Sequence, residues 1–124
     1  HEMAFAGSKL YPGEDDYTGL VALDPHDPNT AFISTNADRA TGKPLVSAVD
    51  GRRHWEIHQG TTADGGAHWR WTPVTRDSTR DHLRPVIPQW PGGPRVVLWA
   101  QGDLKSYTDF RLDIVALVRE RKPR

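Results

Sequence analysis

Residues 62–69 (TADGGAHW) constrain the fold more than any other part of the chain, because they predict a tight hairpin turn. The carboxylate of Asp64 can accept hydrogen bonds from backbone N–H groups across such a turn. Gly65 and Gly66 allow the positive φ angles that a short hairpin demands. Apolar and polar residues alternate on both sides of the turn, which is typical of strands. We therefore predict two antiparallel strands, with Trp69 opening the second and packing under the turn.

The spacing of four residues in this turn resembles a known structural motif. Thr62, Asp64, Gly66 and Trp69 follow the pattern S/T-x-D-x-G-x-x-W of an Asp box. On these residues, the chain resembles the BNR-repeat, sialidase-like β-propeller superfamily, in which the Asp box joins the third and fourth strands of a blade. Residues 20–35 (LVALDPHDPNTAFIST) also resemble the strand, turn and strand that open a blade, whereas His68 departs from the motif, which usually has Thr there.

The alternation pattern and the resemblance, which covers residues 17–118, together predict an all-β fold of antiparallel, four-stranded β-propeller blades. One blade would be complete and a second would have three strands. The predicted strands are residues 19–24, 30–35, 54–59, 67–74, 84–88, 95–101 and 110–118. The predicted divisions are 1–18 (a loop or the end of a preceding blade), 19–75 (the blade with the Asp box), 76–118 (the last, incomplete blade) and 119–124 (a charged tail).

The chain is too short to close a propeller. It has 124 residues and begins with a histidine, whereas a propeller needs several blades of roughly 40–50 residues each. We therefore expect a fragment of a longer propeller, with an open sheet edge and an open apolar face. Such surfaces favour aggregation or pairing with another chain.

Composition excludes several classes of function. Sixteen basic and sixteen acidic residues balance to zero net charge, so we expect neither a nucleic-acid partner nor an anionic membrane partner. The chain has no cysteine, which excludes thiolate metal sites and thiol redox chemistry. Three histidines, His54, His58 and His68, are predicted to share a sheet face, but structural roles are favoured over a metal site. We expect no metal and no cofactor.

Three segments are expected at the propeller face opposite the Asp box, namely residues 36–53, 75–85 and 102–109. The second carries arginines, aspartates and a histidine immediately before a predicted strand. Arginine binds carboxylates in a bidentate manner, and histidine exchanges a proton near neutral pH. The predicted catalytic residues are His82 and Tyr107. The predicted substrate-binding residues are Arg76, Asp77, Arg84, Arg39 and Lys105.

The resemblance implies a carbohydrate-active enzyme, either a glycosidase or a polysaccharide lyase, whose substrate is an acidic glycan. In elimination, arginine would neutralise a uronate carboxylate while the histidine and the tyrosine exchange protons. The alternatives are a non-catalytic propeller module that binds glycan or protein, a fragment that is inactive by itself because the cleft needs residues from missing blades, and loop ion pairs with no function in binding. Expected partners are an acidic polysaccharide and the remaining blades of a parent propeller. The resemblance also implies a secreted or periplasmic location.

Overall fold

Two antiparallel sheets make up the fold. The computed structural model describes residues 20–106 and 109–121. The first sheet has the order β1-β2-β3-β4, with strands Val21–Asp24, Asp27–Thr35, Glu56–Thr61 and Arg70–Pro73. The second has the order β5-β6-β7, with strands Asp81–Val86, Arg95–Ser106 and Asp109–Arg119. The all-β antiparallel prediction is confirmed for the described residues, among which no helix is long and apolar enough to cross a membrane.

Strand β5 lies earlier in the chain than the sequence predicts. It begins at Asp81, because Asp81 pairs with Gly102 and His82 with Gln101 of β6. A register shift follows between Leu83 and Val86, and this bulge separates the start of β5 from the predicted strand at residues 84–88. His82 therefore belongs to a strand and not to the loop that precedes it.

The segment predicted as a third loop, residues 102–109, is largely part of a hairpin. Strand β6 continues to Ser106 and β7 begins at Asp109, with Leu104 paired to Phe110. The ladder between β6 and β7 extends beyond the apolar run of β6, because the residues that follow this run still pair with alternating residues of β7. Tyr107 lies outside the described residues.

The hydrophobic core lies between the two sheets. Phe32 and Ile57 of the first sheet pack with Val97 and Trp99 of the second, and all are almost completely buried. Partly buried apolar residues complete this layer: Val74, Ile87, Val115 and Leu117. Because side chains alternate along a strand, the neighbours of Ile57, such as His58, face the opposite side of the first sheet.

A buried ion pair joins the sheets at the end that carries the β1–β2 turn. The side chain of Asp24 has no exposed surface and accepts from Arg95 Nε at 2.6 Å. Arg121 donates through both terminal nitrogens to the two Asp24 oxygens, at 3.0 Å each. Burial raises the pKa of Asp24, but hydrogen bonds from Arg121, the His26 N–H and Arg95 outweigh it and lower the pKa to about 2. Charged groups therefore fix the sheets relative to each other beside the apolar core.

The outer face of the second sheet is apolar and open to solvent. Val86, Phe110, Ile114 and Val118 all expose more than half of their surface. Strand β7 is also the last strand of its sheet, so no described strand pairs with its outer edge. These surfaces correspond to the open face and open edge that the sequence predicts.

Candidate functional site

The turn between β3 and β4 is held by side-chain hydrogen bonds. The Thr62 hydroxyl donates to Asp64 Oδ1 at 2.9 Å and accepts from the Gly66 N–H at 2.9 Å. Asp64 also accepts from the His68 N–H at 2.9 Å, and the Trp69 indole N–H donates to the Gly66 carbonyl at 3.1 Å. The four residues of the sequence motif thus form one continuous network in the turn.

His68, which departs from the motif, interacts with the same carboxylate. Its Nδ1 lies 2.6 Å from Asp64 Oδ2. The hydrogen bond from the His68 N–H is the largest of several that lower the pKa of Asp64 to about 2, followed by the bond to the His68 ring. The substituted position therefore adds a second contact to the motif's aspartate.

The segments predicted to carry the site lie at the end of the sheets opposite this turn. Because neighbouring strands of the first sheet run in opposite directions, the β2–β3 loop, which carries Arg39, lies at the end opposite the β3–β4 turn. The His82 N–H donates to the Trp55 carbonyl at 2.9 Å, which brings the β4–β5 link beside that loop. Since Asp81 pairs with Gly102, the β6–β7 hairpin with Lys105 lies at the same end. The topology thus places the backbone of the three segments at one end of the sheets.

Within these segments, the predicted binding residues differ in exposure. Arg76 and Asp77 are exposed, Arg39 and Arg84 are half-buried, and the Asp77 carboxylate accepts from the Ala48 N–H at 2.9 Å. Among residues 20–106 and 109–121, Asp77 and Arg84 are the non-glycine residues with positive φ, at 51° and 58°. Such residues are strained and persist where their surroundings hold them, and they cluster at functional sites.

His82 is a buried side chain, with only 5 % of its surface exposed. Its Nδ1 is 2.8 Å from Trp99 Nε1. Because an indole N–H can only donate, Nδ1 accepts, and the neutral ring carries its proton on Nε2. Nε2 points to Glu56 Oε1 at 4.0 Å. His82 therefore joins the two sheets, and its catalytic role stays a prediction that requires substrate to reach a covered ring.

Glu56 is central to this region, and the sequence analysis did not select it. The buried carboxylate accepts from the Thr75 hydroxyl at 2.9 Å, and from the N–H and hydroxyl of Ser78 at 3.1 Å and 2.5 Å. It thereby holds the β4–β5 link in place. The only sequence signal was an acidic residue inside an alternating strand, which is rare in a buried position unless paired.

A groove of about 640 Å³ runs along the outer face of β3 and β4, from Arg39 towards the turn at Asp64. Two tryptophans line it, Trp69 and Trp71, and their rings stack with centroids 5.8 Å apart. The Trp71 ring lies over Gly60, where an added Cβ would be 2.4 Å from the ring. The polar lining also includes Asp38, His68, Arg70 and the buried His58. The groove thus combines flat aromatic surface with two arginines and one carboxylate.

The histidines predicted to share a sheet face make separate contacts. His54 lies 2.6 Å from Asp50 and 3.3 Å from Asp81, whereas His68 contacts Asp64. Burial lowers the pKa of His54, but its hydrogen bonds to Asp50 and Asp81 and their charges outweigh this and raise it. Among the described residues, no group of three or more acidic residues and histidines could hold a metal ion.

Two histidines of opposite behaviour predict a measurable pH dependence of stability. Burial lowers the pKa of His82, whereas that of His54 is raised. Below about pH 6.5, the usual histidine pKa, the unfolded chain binds a proton more readily at His82, so this residue destabilises the fold as pH falls. His54 has the opposite sign and stabilises the fold in acid. We therefore expect His82→Asn to reduce the loss of stability between about pH 7 and pH 5, and His54→Asn to increase it.

Urea unfolding at several pH values measures both effects. Asparagine at position 82 keeps an acceptor near the Trp99 indole but does not titrate. If the free energy of unfolding changes with pH equally in both variants and in the wild-type chain, these two histidines do not cause the pH dependence.

Comparison of the chain with protein-family models, with curated proteins and with solved structures finds no match. The fold by itself defines the class, which is an all-β protein of two packed antiparallel sheets, of four and three strands.

Proposed function

We propose that this chain belongs to a BNR/Asp-box β-propeller that binds an acidic glycan. The proposal that the two sheets are blades is supported by their strand order and by the hydrogen-bonded Thr62–Asp64–Gly66–Trp69 turn between β3 and β4. A secreted or periplasmic location, and the presence of further blades in a parent protein, are part of the same proposal.

The observation that carries the glycan-binding proposal is the groove along β3 and β4. Aromatic rings offer flat apolar surface with polar edges, which suits the face of a sugar ring. Arg39, at one end of the groove, supplies a planar donor for a sugar carboxylate. Stacking by Trp71 and pairing by Arg39 would therefore select acidic sugars over neutral ones.

Binding can be tested with the purified chain and a panel of uronic-acid polysaccharides, sialosides and neutral polysaccharides of matched length. Tryptophan fluorescence provides the readout, since Trp69 and Trp71 line the groove. We expect acidic ligands to bind and Arg39→Gln to weaken binding by about tenfold or more, because a hydrogen bond to a charged group contributes about 1.5–3 kcal/mol.

Arg52→Gln is the matched control, because Arg52 is an exposed arginine of the same loop and does not line the groove. It should leave the affinity within about twofold of the wild-type value, since an isolated surface charge contributes little. Equal weakening by both variants would indicate general charge attraction and contradict the site. Failure of every acidic saccharide to bind would contradict the function.

Catalysis by a glycosidase or a polysaccharide lyase is the second candidate, and the neutral His82 beside Glu56 favours it. Titratable groups whose pKa is shifted by burial beside a charged neighbour are enriched at active sites. Incubation with the same polysaccharides separates the outcomes. Growth of the ultraviolet absorbance of an unsaturated uronate indicates elimination, and new reducing ends without it indicate hydrolysis. Either activity should disappear in His82→Asn, and the absence of both would leave binding alone.

A further inference from the structure

Strand β7 presents a long edge that no described strand covers. It spans the 11 residues Asp109–Arg119 and pairs with β6 along its inner edge. Its even-numbered residues from Phe110 to Val118 are all apolar, and the central one, Ile114, exposes 72 % of its surface. A long, exposed apolar edge strand is a template for pairing with another strand. The question is which strand fits.

The sequence of β7 is complementary to itself in the antiparallel direction at its two ends and along its outer face, whereas on the inner face Arg111 would face Leu117 and Asp113 would face Val115. If two copies pair about a two-fold axis through Ile114, all residues of both strands find an opposite residue. Asp109 then faces the second copy's Arg119 at each end of the ladder. On the outer face, Phe110 faces Val118, and the two Ile114 side chains face each other. Opposite charges and apolar pairs directly across an antiparallel ladder are stabilising.

Neighbouring registers are less favourable. An axis through Val115 sets Arg111 opposite the second copy's Arg119, and an axis through Asp113 sets two aspartates opposite each other. Like charges directly across a ladder destabilise pairing. The register centred on Ile114 avoids these like-charge contacts and is the one that pairs all 11 residues of both strands.

We propose that this chain forms a two-fold symmetric dimer in which the β7 strands of two copies pair antiparallel about Ile114. The two three-stranded sheets become one continuous sheet. The outer β7 edge of each copy is then paired with that of the other, so the assembly closes as a dimer. The outer apolar residues of the two copies then form one stripe across the new ladder. The proposal does not depend on glycan binding, but a fourth blade strand on the same edge of β7 would compete with the second copy.

Single-cysteine variants test the register directly, because the natural chain has no cysteine. In the proposed dimer the two copies of residue 114 lie opposite, with Cα atoms about 4.5–5.5 Å apart, within the range of a disulfide. The two copies of residue 116 are offset by four residues along the strands, or about 13 Å. Mild oxidation of the full chain should therefore convert most of Ile114→Cys, and little of Ala116→Cys, to a covalent dimer. Equal cross-linking of the two variants, or none in either, would overturn the register.

Sedimentation equilibrium over a range of concentrations tests the dimer without any cross-link. Ile114→Lys places two like charges at the axis and should weaken association by about tenfold or more. Val49→Lys is the matched control, because Val49 exposes 71 % of its surface in a different part of the fold; it should not change the association. A wild-type chain that stays monomeric, or that forms open-ended larger species, would overturn the proposal.

A charge exchange provides a rescue experiment. Asp109→Arg and Arg119→Asp each create like-charge pairs at both ends of the ladder and should weaken the dimer. The double variant restores opposite charges in the same register and should recover the wild-type association. Additive weakening in the double variant would show that these residues do not face each other.

Discussion

Asp24→Asn is expected to lower the free energy of unfolding by about 3 kcal/mol, because it removes the negative member of a buried ion pair. The carboxylate has no exposed surface, and both Arg95 and Arg121 donate to it. Asparagine keeps the shape of the side chain but removes the carboxylate that Arg121 contacts, and among the described residues it leaves Arg95 paired only with Asp27, at 3.1 Å. Urea unfolding followed by tryptophan fluorescence measures the difference.

The same interaction predicts a specific acid dependence. The pKa of Asp24 is about 2 in the fold, below its usual value of 3.8. Its contribution to stability is therefore complete above about pH 3.8 and is lost as the pH falls through the folded value. We expect the difference between the wild-type chain and Asp24→Asn to shrink over this range.

Asp113→Asn is the matched control for Asp24→Asn. Asp113 also pairs with an arginine, at 3.2 Å from Arg80, but its side chain is 72 % exposed. An exposed pair contributes about 0–1 kcal/mol, so this variant should behave almost like the wild-type chain. Similar losses in the two aspartate variants would show that burial does not strengthen the Asp24 interaction.

Glu56→Ala is expected to cost about 2–3 kcal/mol and to release the β4–β5 link. The carboxylate accepts three hydrogen bonds from Thr75 and Ser78, and the donors that remain in a partly buried site lose their partner. Amide hydrogen exchange should show a local effect, because the Ser78 N–H loses its acceptor.

Two further substitutions separate this effect from a general loss of charge. Glu56→Gln retains an acceptor oxygen and should cost less than the alanine variant. Glu120→Ala removes an exposed glutamate and should be nearly neutral. If Glu56→Ala leaves the exchange of the Ser78 amide unchanged, the carboxylate does not hold the link.

Local patterns accounted for much of the fold. The turn at residues 62–69 was predictable because its hydrogen bonds join residues close in sequence, such as Thr62 and Asp64. Alternation in β7 likewise specified a strand, since side-chain direction follows a period of two residues. The shifted start of β5 was not predictable, because it depends on pairing with Gly102 and on a bulge at Arg84.

Much of the candidate site could not be predicted for the same physical reason. The burial of His82 depends on contacts with Trp99 and Glu56, which come from other strands. Likewise, the groove joins Arg39 of one loop with Trp71 of a strand far along the chain. Sequence chemistry selected polar residues with suitable side chains, but only the packing of the two sheets decides which of them reach solvent.

The ion pair between Asp24 and Arg121 has a consequence for biosynthesis. The two residues are 97 positions apart in the chain, so the contact can form only after Arg121 has emerged from the ribosome. At roughly 5–20 residues per second, synthesis of the intervening chain takes about 5–20 s. Once Pro73 has been made, the first sheet has all its strands but still lacks the second sheet that covers Phe32 and Ile57. The nascent protein therefore presents an apolar surface to chaperones until translation of this region is almost complete.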